Sequence, residues 1–275
     1  MIKERKYYLY GTTDKNCWSA PATGFDVYTS TDLENWQGPF PAFRPGAGFW
    51  ADRNFWAPEV YYYGGKFYMF ASFKSEHNCR GTQVLVSESP LGPFVPFSDG
   101  PVTPKDWECL DGTLYMDREE NPWMVFCHEW LQVGDGEIWA IPMTKDLRRA
   151  SGEPVFLFRA SEAPWVRAVG NPKGGKFVTD GPFLYRTSGG DLLMIWSSFT
   201  KEGYALGVAR SLSGEIEGPW KHDEVPLFNK DGGHGMLFKT FDGEFILSIH
   251  MPNKTPLERP IFLRIREEDS KLILL

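Results

Sequence analysis

The chain has 275 residues, 42% hydrophobic and 16% aromatic, with a formal net charge of −7. That composition fits a packed globular protein and excludes a disordered one, while the acidic balance excludes the clustered Lys and Arg footprint of a nucleic-acid or anionic-membrane binder. No apolar run approaches the roughly 18 residues of a membrane span, and Cys17, Cys79, Cys109 and Cys127 lack CxxC spacing, so they read as buried thiols rather than zinc ligands or a disulfide framework.

The N-terminal MIKERKYYLYG has no apolar segment or small-residue cleavage site. It is not a signal peptide, which predicts a cytoplasmic protein if the chain is complete and a secreted or periplasmic one if its N-terminus is truncated. From there the chain reads as short strands. Lys6-YYLYG and FDVYTS from Phe25 come first, then a turn DLENW ending at Trp36. Next stands Glu59-VYYYGGKFYMF, two aromatic-rich strands about a Gly-Gly turn, followed by TQVLVSES from Thr82 and a turn LGPF ending at Phe94. Asp111-GTLYMDREENPWMVF opens the next hairpin, with EIWAIPM from Glu137 after it. Asp180-GPFLYRTSGGDLLMIW precedes YALGVARS from Tyr204 and a turn EGPW ending at Trp220, and His234-GMLFKTFDGEFILSI precedes PIFLRIR from Pro260.

Each hairpin thus begins with a polar anchor, Glu59, Asp111, Asp180 or His234, at spacings of 52, 69 and 54 residues. The pattern predicts four equivalent anchors in a repeat of three or four antiparallel strands. Five third strands, no long amphipathic helix, and 28 Gly and 21 Pro punctuating the chain predict an all-β, five-bladed β-propeller forming one domain. Its approximate blades are 1–48, 49–105, 106–170, 171–230 and 231–275. Lys6-YYLYG aligns with Lys66-FYMFA at an offset of 60, which carries Glu59 to a place just before residue 1. The first blade is therefore expected to lack its innermost strand and its anchor.

Inner-strand anchors of a propeller face one cavity. Carboxylates gathered there push one another's pKa values apart, which is what an acid and a base cleaving a glycosidic bond require. Trp56 and Trp130 offer flat faces for sugar rings, and His128 next to Glu129 offers a hydrogen bond to a sugar hydroxyl. The extra length before Asp180 lies in EPVFLFRASEAPWVRAVGNPKGG, whose Trp165 and Arg167 are candidates for a cleft rim. The bland readings stand beside these. Asp-Gly is a turn signal, His234 also reads as a hydrogen-bonded core histidine, and Tyr61-Tyr62-Tyr63 reads as packing between blades.

The segments YYLYGTTD, FWAPEVYYYGGKFYMFAS, LDGTLYMD, TDGPFLYRT and GGHGMLF resemble glycoside hydrolase family 43 over essentially the whole chain. The resemblance implies an inverting glycosidase acting on α-L-arabinofuranosyl or β-D-xylosyl linkages, with a carbohydrate as its partner and no required cofactor. It places Asp111 as the pKa-tuning acid and Asp180 where the family has a Glu general acid, with Glu59 as a further carboxylate at the axis. It also places His234 near the axis, beside a water or a possible central calcium that it would touch through water. Two departures follow. Asp180 is one methylene shorter than Glu, moving the proton donor by about 1 Å. The family's Asp-Pro general base has no counterpart, and Asp14 and Asp52 are the nearby acids weighed in its place. A carbohydrate-binding propeller without turnover is the alternative reading, and a protein-interaction platform a third; oligomeric state is left open.

Overall fold

The computed structural model describes residues 1–170 and 174–275. Residues 171–173, within the long segment before Asp180, lie outside the described residues. The regular secondary structure is nearly all strand, in five four-stranded sheets. The first holds β1 (Ile2–Lys3), β2 (Lys6–Gly11), β3 (Phe25–Ser30) and β4 (Gln37–Phe43). The second holds β5 (Arg53–Tyr63), β6 (Lys66–Lys74), β7 (Gly81–Ser87) and β8 (Val95–Pro101). The third holds β9 (Cys109–Met116), β10 (Pro122–His128), β11 (Glu137–Pro142) and β12 (Val155–Arg159). The fourth holds β13 (Asp180–Arg186), β14 (Leu192–Thr200), β15 (Gly203–Ser211) and β16 (Trp220–His222), and the fifth β17 (Gly233–Lys239), β18 (Phe245–Met251), β19 (Arg259–Glu268) and β20 (Lys271–Leu274).

Strands neighbour one another in chain order within every sheet. Such meanders are propeller blades, and the fold is the expected five-bladed β-propeller. The first blade's innermost strand is only the two-residue β1, paired as Ile2 with Tyr7 and Lys3 with Lys6. Among the described residues, no helix is long and apolar enough to cross a membrane; α1 (Trp130–Val133) is a single turn.

Sequence explains the local form. Gly64 and Gly65 at φ 53° and 90° make the two-residue turn between β5 and β6, a conformation that costs glycine nothing and any other residue strain. The second strand of each sheet carries apolar residues on both faces. In β6, Phe67 through Phe73 are all buried, so this strand has no solvent face, whereas β8 is largely exposed, as an outermost strand must be.

The chain divides into two compact units, residues 1–114 with 143–151, and residues 115–142 with 152–275. In the first unit Phe25, Phe43, Phe49, Phe55 and Phe73 pack edge to face or tilted, with Phe55 and Phe73 centroids 4.8 Å apart. These rings avoid parallel stacking because their quadrupoles favour edge contact. Truncating fully buried Phe73 to Ala removes about 3–5 kcal/mol. In the second unit the aliphatic cluster of Leu193, Ile195, Leu206, Leu247 and Ile249 is joined by a separate aromatic group, Phe158, Trp165, Trp196 and His222. None of the four cysteines is in a disulfide; Cys109 and Cys127 are buried, and Cys17 and Cys79 half-buried.

Candidate active site

A repeated bulge sets the direction of the side chains at the start of the inner strands. On β5, Trp56 pairs with Ser72 and Glu59 with Phe70, so three steps on one strand match two on the other. The same slip occurs on β13 between Asp180 and Phe183 and on β17 between Gly233 and Met236. The residue inside each bulge has positive φ: Ala57 at 47°, Gly181 at 49° and His234 at 52°, with Asp111 of β9 at 57°. Left-handed backbone is costly for residues with a Cβ and persists where surrounding contacts fix it. Here a hydroxyl of the preceding blade fixes it. The Ala57 N–H donates to Thr12 Oγ1 (3.2 Å), Asp111 N–H to Ser72 Oγ (2.9 Å) and His234 N–H to Ser197 Oγ (2.8 Å).

This corrects the alignment of the anchors. Asp111 and His234 do hold one position, with Ala57 and Gly181 as its other occupants, but Asp180 stands one residue before it and Glu59 two after. A bulge adds one residue and reverses the alternation beyond it, so an ungapped comparison of the hairpins places the acids in false register.

In the first unit, Glu59 is half-buried and its Oε2 accepts from the Tyr61 hydroxyl and from Thr113 Oγ1 at 2.8 Å. Burial, reinforced by the Glu59 charge, pushes the Tyr61 phenol well above its ordinary pKa, so Tyr61 remains a donor. Glu59 thus ties β5 to β9, two residues from the nearly buried Asp111 on that strand. Trp56 is half-exposed. Its Nε1 donates to the Cys17 carbonyl at 2.9 Å, and the Arg80 guanidinium lies 4.1 Å from its ring centroid. Asp14 and Asp52, weighed as bases, serve local structure: Asp14 accepts from the Thr23 N–H and hydroxyl, and Asp52 from Arg53 Nε at 2.8 Å. The Arg53 bond holds the Asp52 carboxyl below its usual range.

In the second unit, half-buried Asp180 accepts a 3.0 Å hydrogen bond on Oδ2 from the hydroxyl of Tyr204. Tyr204 is 2% exposed, and its ring stacks on His250 with centroids 5.5 Å apart and an angle of 19°. His250 Nε2 lies 3.0 Å from Asn253 Oδ1, and burial followed by the neighbouring His234 lowers the His250 pKa. His234 lies against the Asp180–Gly181 turn: a Cβ on Gly181 would come within 2.6 Å of its ring. Asp180, Gly181, Ser197, Tyr204, His234 and His250 therefore form one constellation. It combines the Asp180 carboxylate and two hydroxyls with the imidazoles of His234 and His250, and calcium, which takes oxygen ligands, would meet His234 only through water. Among the described residues, no three His, Cys, Asp or Glu side chains are grouped as a metal site.

The remaining candidates separate. His128 is buried, with Nδ1 3.3 Å from Glu137 Oε2 and Nε2 2.8 Å from Gln132 Oε1, so both ring nitrogens are engaged by protein groups. Glu129 beside it is buried as well. Trp130 is half-buried, with the Lys176 ammonium 5.4 Å from its ring centroid. Arg167 is exposed, but its guanidinium caps the Pro164 and Val166 carbonyls at 2.9 and 2.7 Å. Trp165 is not on a rim. It is 5% exposed and packs on Trp196 and against Gly207, where a Cβ would meet Trp165 Cζ2 at 2.2 Å.

The model of the family described as Glycosyl hydrolases family 43 matches residues 1–266. The chain belongs to glycoside hydrolase family 43. A crystal structure of an endo-arabinase from Bacteroides thetaiotaomicron is similar to this family 43 chain with a TM-score of 0.92 and 42% identity, covering 98% of this chain and 94% of that one. An endo-1,4-beta-xylanase structure from the same organism is similar at 0.82 and 26%, covering 100% and 92%. The extracellular exo-alpha-(1->5)-L-arabinofuranosidase of Cellvibrio japonicus is 24% identical over 87% of this chain and 76% of that protein. The protein is a glycosidase that hydrolyses O-glycosyl bonds.

Several residues of this candidate site escaped the reading of the sequence. Ser72 and Ser197 each close the apolar run of a second strand, in FYMFAS and LLMIWS, and that shared place was a legible sign of a repeated role. Tyr204 gave only a strand signal; its bond to Asp180 depends on β14 and β15 pairing Phe199 with Tyr204.

Proposed function

We propose that this glycosidase cleaves pentosyl linkages, α-L-arabinofuranosyl or β-D-xylosyl, by single displacement with inversion, and that Asp180 is its general acid. The observation that carries the assignment is the Tyr204 hydroxyl donated to Asp180 Oδ2. Because Oδ2 accepts, a proton held by the carboxyl belongs on Oδ1, which fixes the direction of proton donation. Tyr204 is a positioning residue, itself immobilised by burial and by the His250 ring.

In the reaction, water attacks the anomeric carbon as the bond to the leaving oxygen breaks. Asp180 gives its proton to that oxygen, and a base across the ring takes one from the water, with the two carboxyls about 6.5–9.5 Å apart in inverting enzymes. Asp111, its backbone pinned by Ser72, stands where the resemblance puts the family's pKa-tuning acid. Glu59 is the further carboxylate of the first unit, held in a fixed orientation by Tyr61 and Thr113. The arabinofuranosyl linkage is the favoured member, in view of the 42% identity to the endo-arabinase.

The test is turnover of linear α-(1→5)-arabino-oligosaccharides and β-(1→4)-xylo-oligosaccharides, with the first-formed anomer followed by proton NMR. Inverted product from either substrate is the expected result. Retained configuration overturns the mechanism. Saturable binding without turnover establishes instead a carbohydrate-binding propeller.

A further inference from the structure

Trp18 is the most exposed aromatic side chain among the described residues, at 63%. An indole left in water on a polar loop, DKNCWSAPATG, contributes nothing to the core, yet the loop that carries it is held in place by several bonds. Asn54 Nδ2 donates to the carbonyls of both Cys17 (3.0 Å) and Trp18 (3.1 Å), and Trp56 Nε1 donates to the Cys17 carbonyl (2.9 Å). The Ala22 N–H closes the far side of the loop on the Asp52 carbonyl at 2.8 Å. Asn54 is itself buried and is held by Arg80 at 3.2 Å. The loop backbone at Trp18 is therefore fixed by β5, the strand that also bears Trp56 and Glu59.

The ring orientation is also defined. Trp18 meets Trp56 with centroids 4.9 Å apart and planes at 64°, so the two indoles form a corner. The Arg80 guanidinium over the Trp56 ring stiffens one wall of it. A rigid, exposed aromatic corner suits the apolar face of a sugar ring, because stacking gains area without freezing a flexible side chain. The chain's formal charge of −7 disfavours an anionic ligand, and a neutral glycan suits the corner.

We infer that Trp18 forms a sugar-stacking subsite for a pentose residue of an oligosaccharide, remote from the bond being cleaved, and thereby sets the preference for longer substrates. The inference rests on the reading of the protein as a pentosyl hydrolase. Trp18→Ala and Trp18→Tyr are titrated by calorimetry alongside the wild type with arabino- and xylo-oligosaccharides of two to six residues, and turnover of the same oligosaccharides is measured in parallel. Trp18→Ala is expected to weaken binding of the longest ligand about tenfold, equivalent to about 1.4 kcal/mol, to weaken the disaccharide less, and to be largely rescued by Tyr. Equal affinity of wild type and Trp18→Ala at every length overturns the inference, whatever the turnover. An absence of binding by the wild type to any pentose oligosaccharide overturns it as well. Trp18-dependent binding without turnover supports the subsite and contradicts the hydrolytic reading alone.

Discussion

His222 makes stability depend on pH in a way the structure quantifies. The ring sits 4.5 Å from Phe158 and 5.5 Å from Trp196, is 8% exposed, and neither of its nitrogens has a hydrogen-bond partner among the described residues. Burial lowers its pKa from the ordinary 6.5 to about 4. Because the folded value lies below the unfolded one, the unfolded chain binds the proton first as pH falls. The contribution is complete above pH ~6.5 and is lost progressively down to the folded value near 4. At about 1.4 kcal/mol for each unit between the two values, the loss reaches about 2.5 kcal/mol at pH 4.5 and about 3 kcal/mol at pH 4, and levels off at about 3.5 kcal/mol below that. His222→Leu keeps an apolar side chain of similar volume and removes the titration. Urea unfolding of both proteins at pH 7.5 and 4.5 measures the effect. The variant should lose about 2–3 kcal/mol less than the wild type between the two pH values. Parallel losses in the two proteins refute the reasoning.

Tyr204→Phe removes the donor to Asp180 Oδ2, and since that bond favours the ionised carboxyl, its loss raises the pKa of the acid. The basic limb of the pH–rate profile is expected to move up; an unmoved limb with unchanged turnover refutes the link between the two residues. Gly207→Ala forces a Cβ against Trp165 and should cost about 1–3 kcal/mol by overpacking, seen as a lowered unfolding midpoint in urea. An unchanged midpoint contradicts the placement of Trp165 in the core.

The strands were legible because their signals are local. The Gly64–Gly65 turn and the doubly apolar β6 follow from residues a few positions apart, and five repeats of such pieces suffice to name a propeller. Two features of the site were not legible. The bulges at Ala57, Gly181 and His234 change register by one residue, and a bulge occupied in turn by Ala, Gly and His has no residue-type signature. Trp165 resembled a rim residue because it stands in a long loop; what buries it is the missing side chain of Gly207, far along the chain on β15. His128 likewise reads as a partner for a sugar hydroxyl until Glu137 on the paired strand is seen to engage it. Trp18 gave no periodic signal at all, since its loop is fixed by Asn54 and Trp56 of another sheet.

The central claim is that Asp180 donates the proton to the leaving oxygen, and the most direct measurement compares leaving groups. A poor leaving group such as a sugar hydroxyl needs that proton, whereas a nitrophenolate departs with little help. Asp180→Ala should reduce kcat on an arabino-oligosaccharide by about 10²–10⁴-fold and on the nitrophenyl arabinofuranoside far less. Equal losses on the two substrates, or none on either, would contradict the assignment.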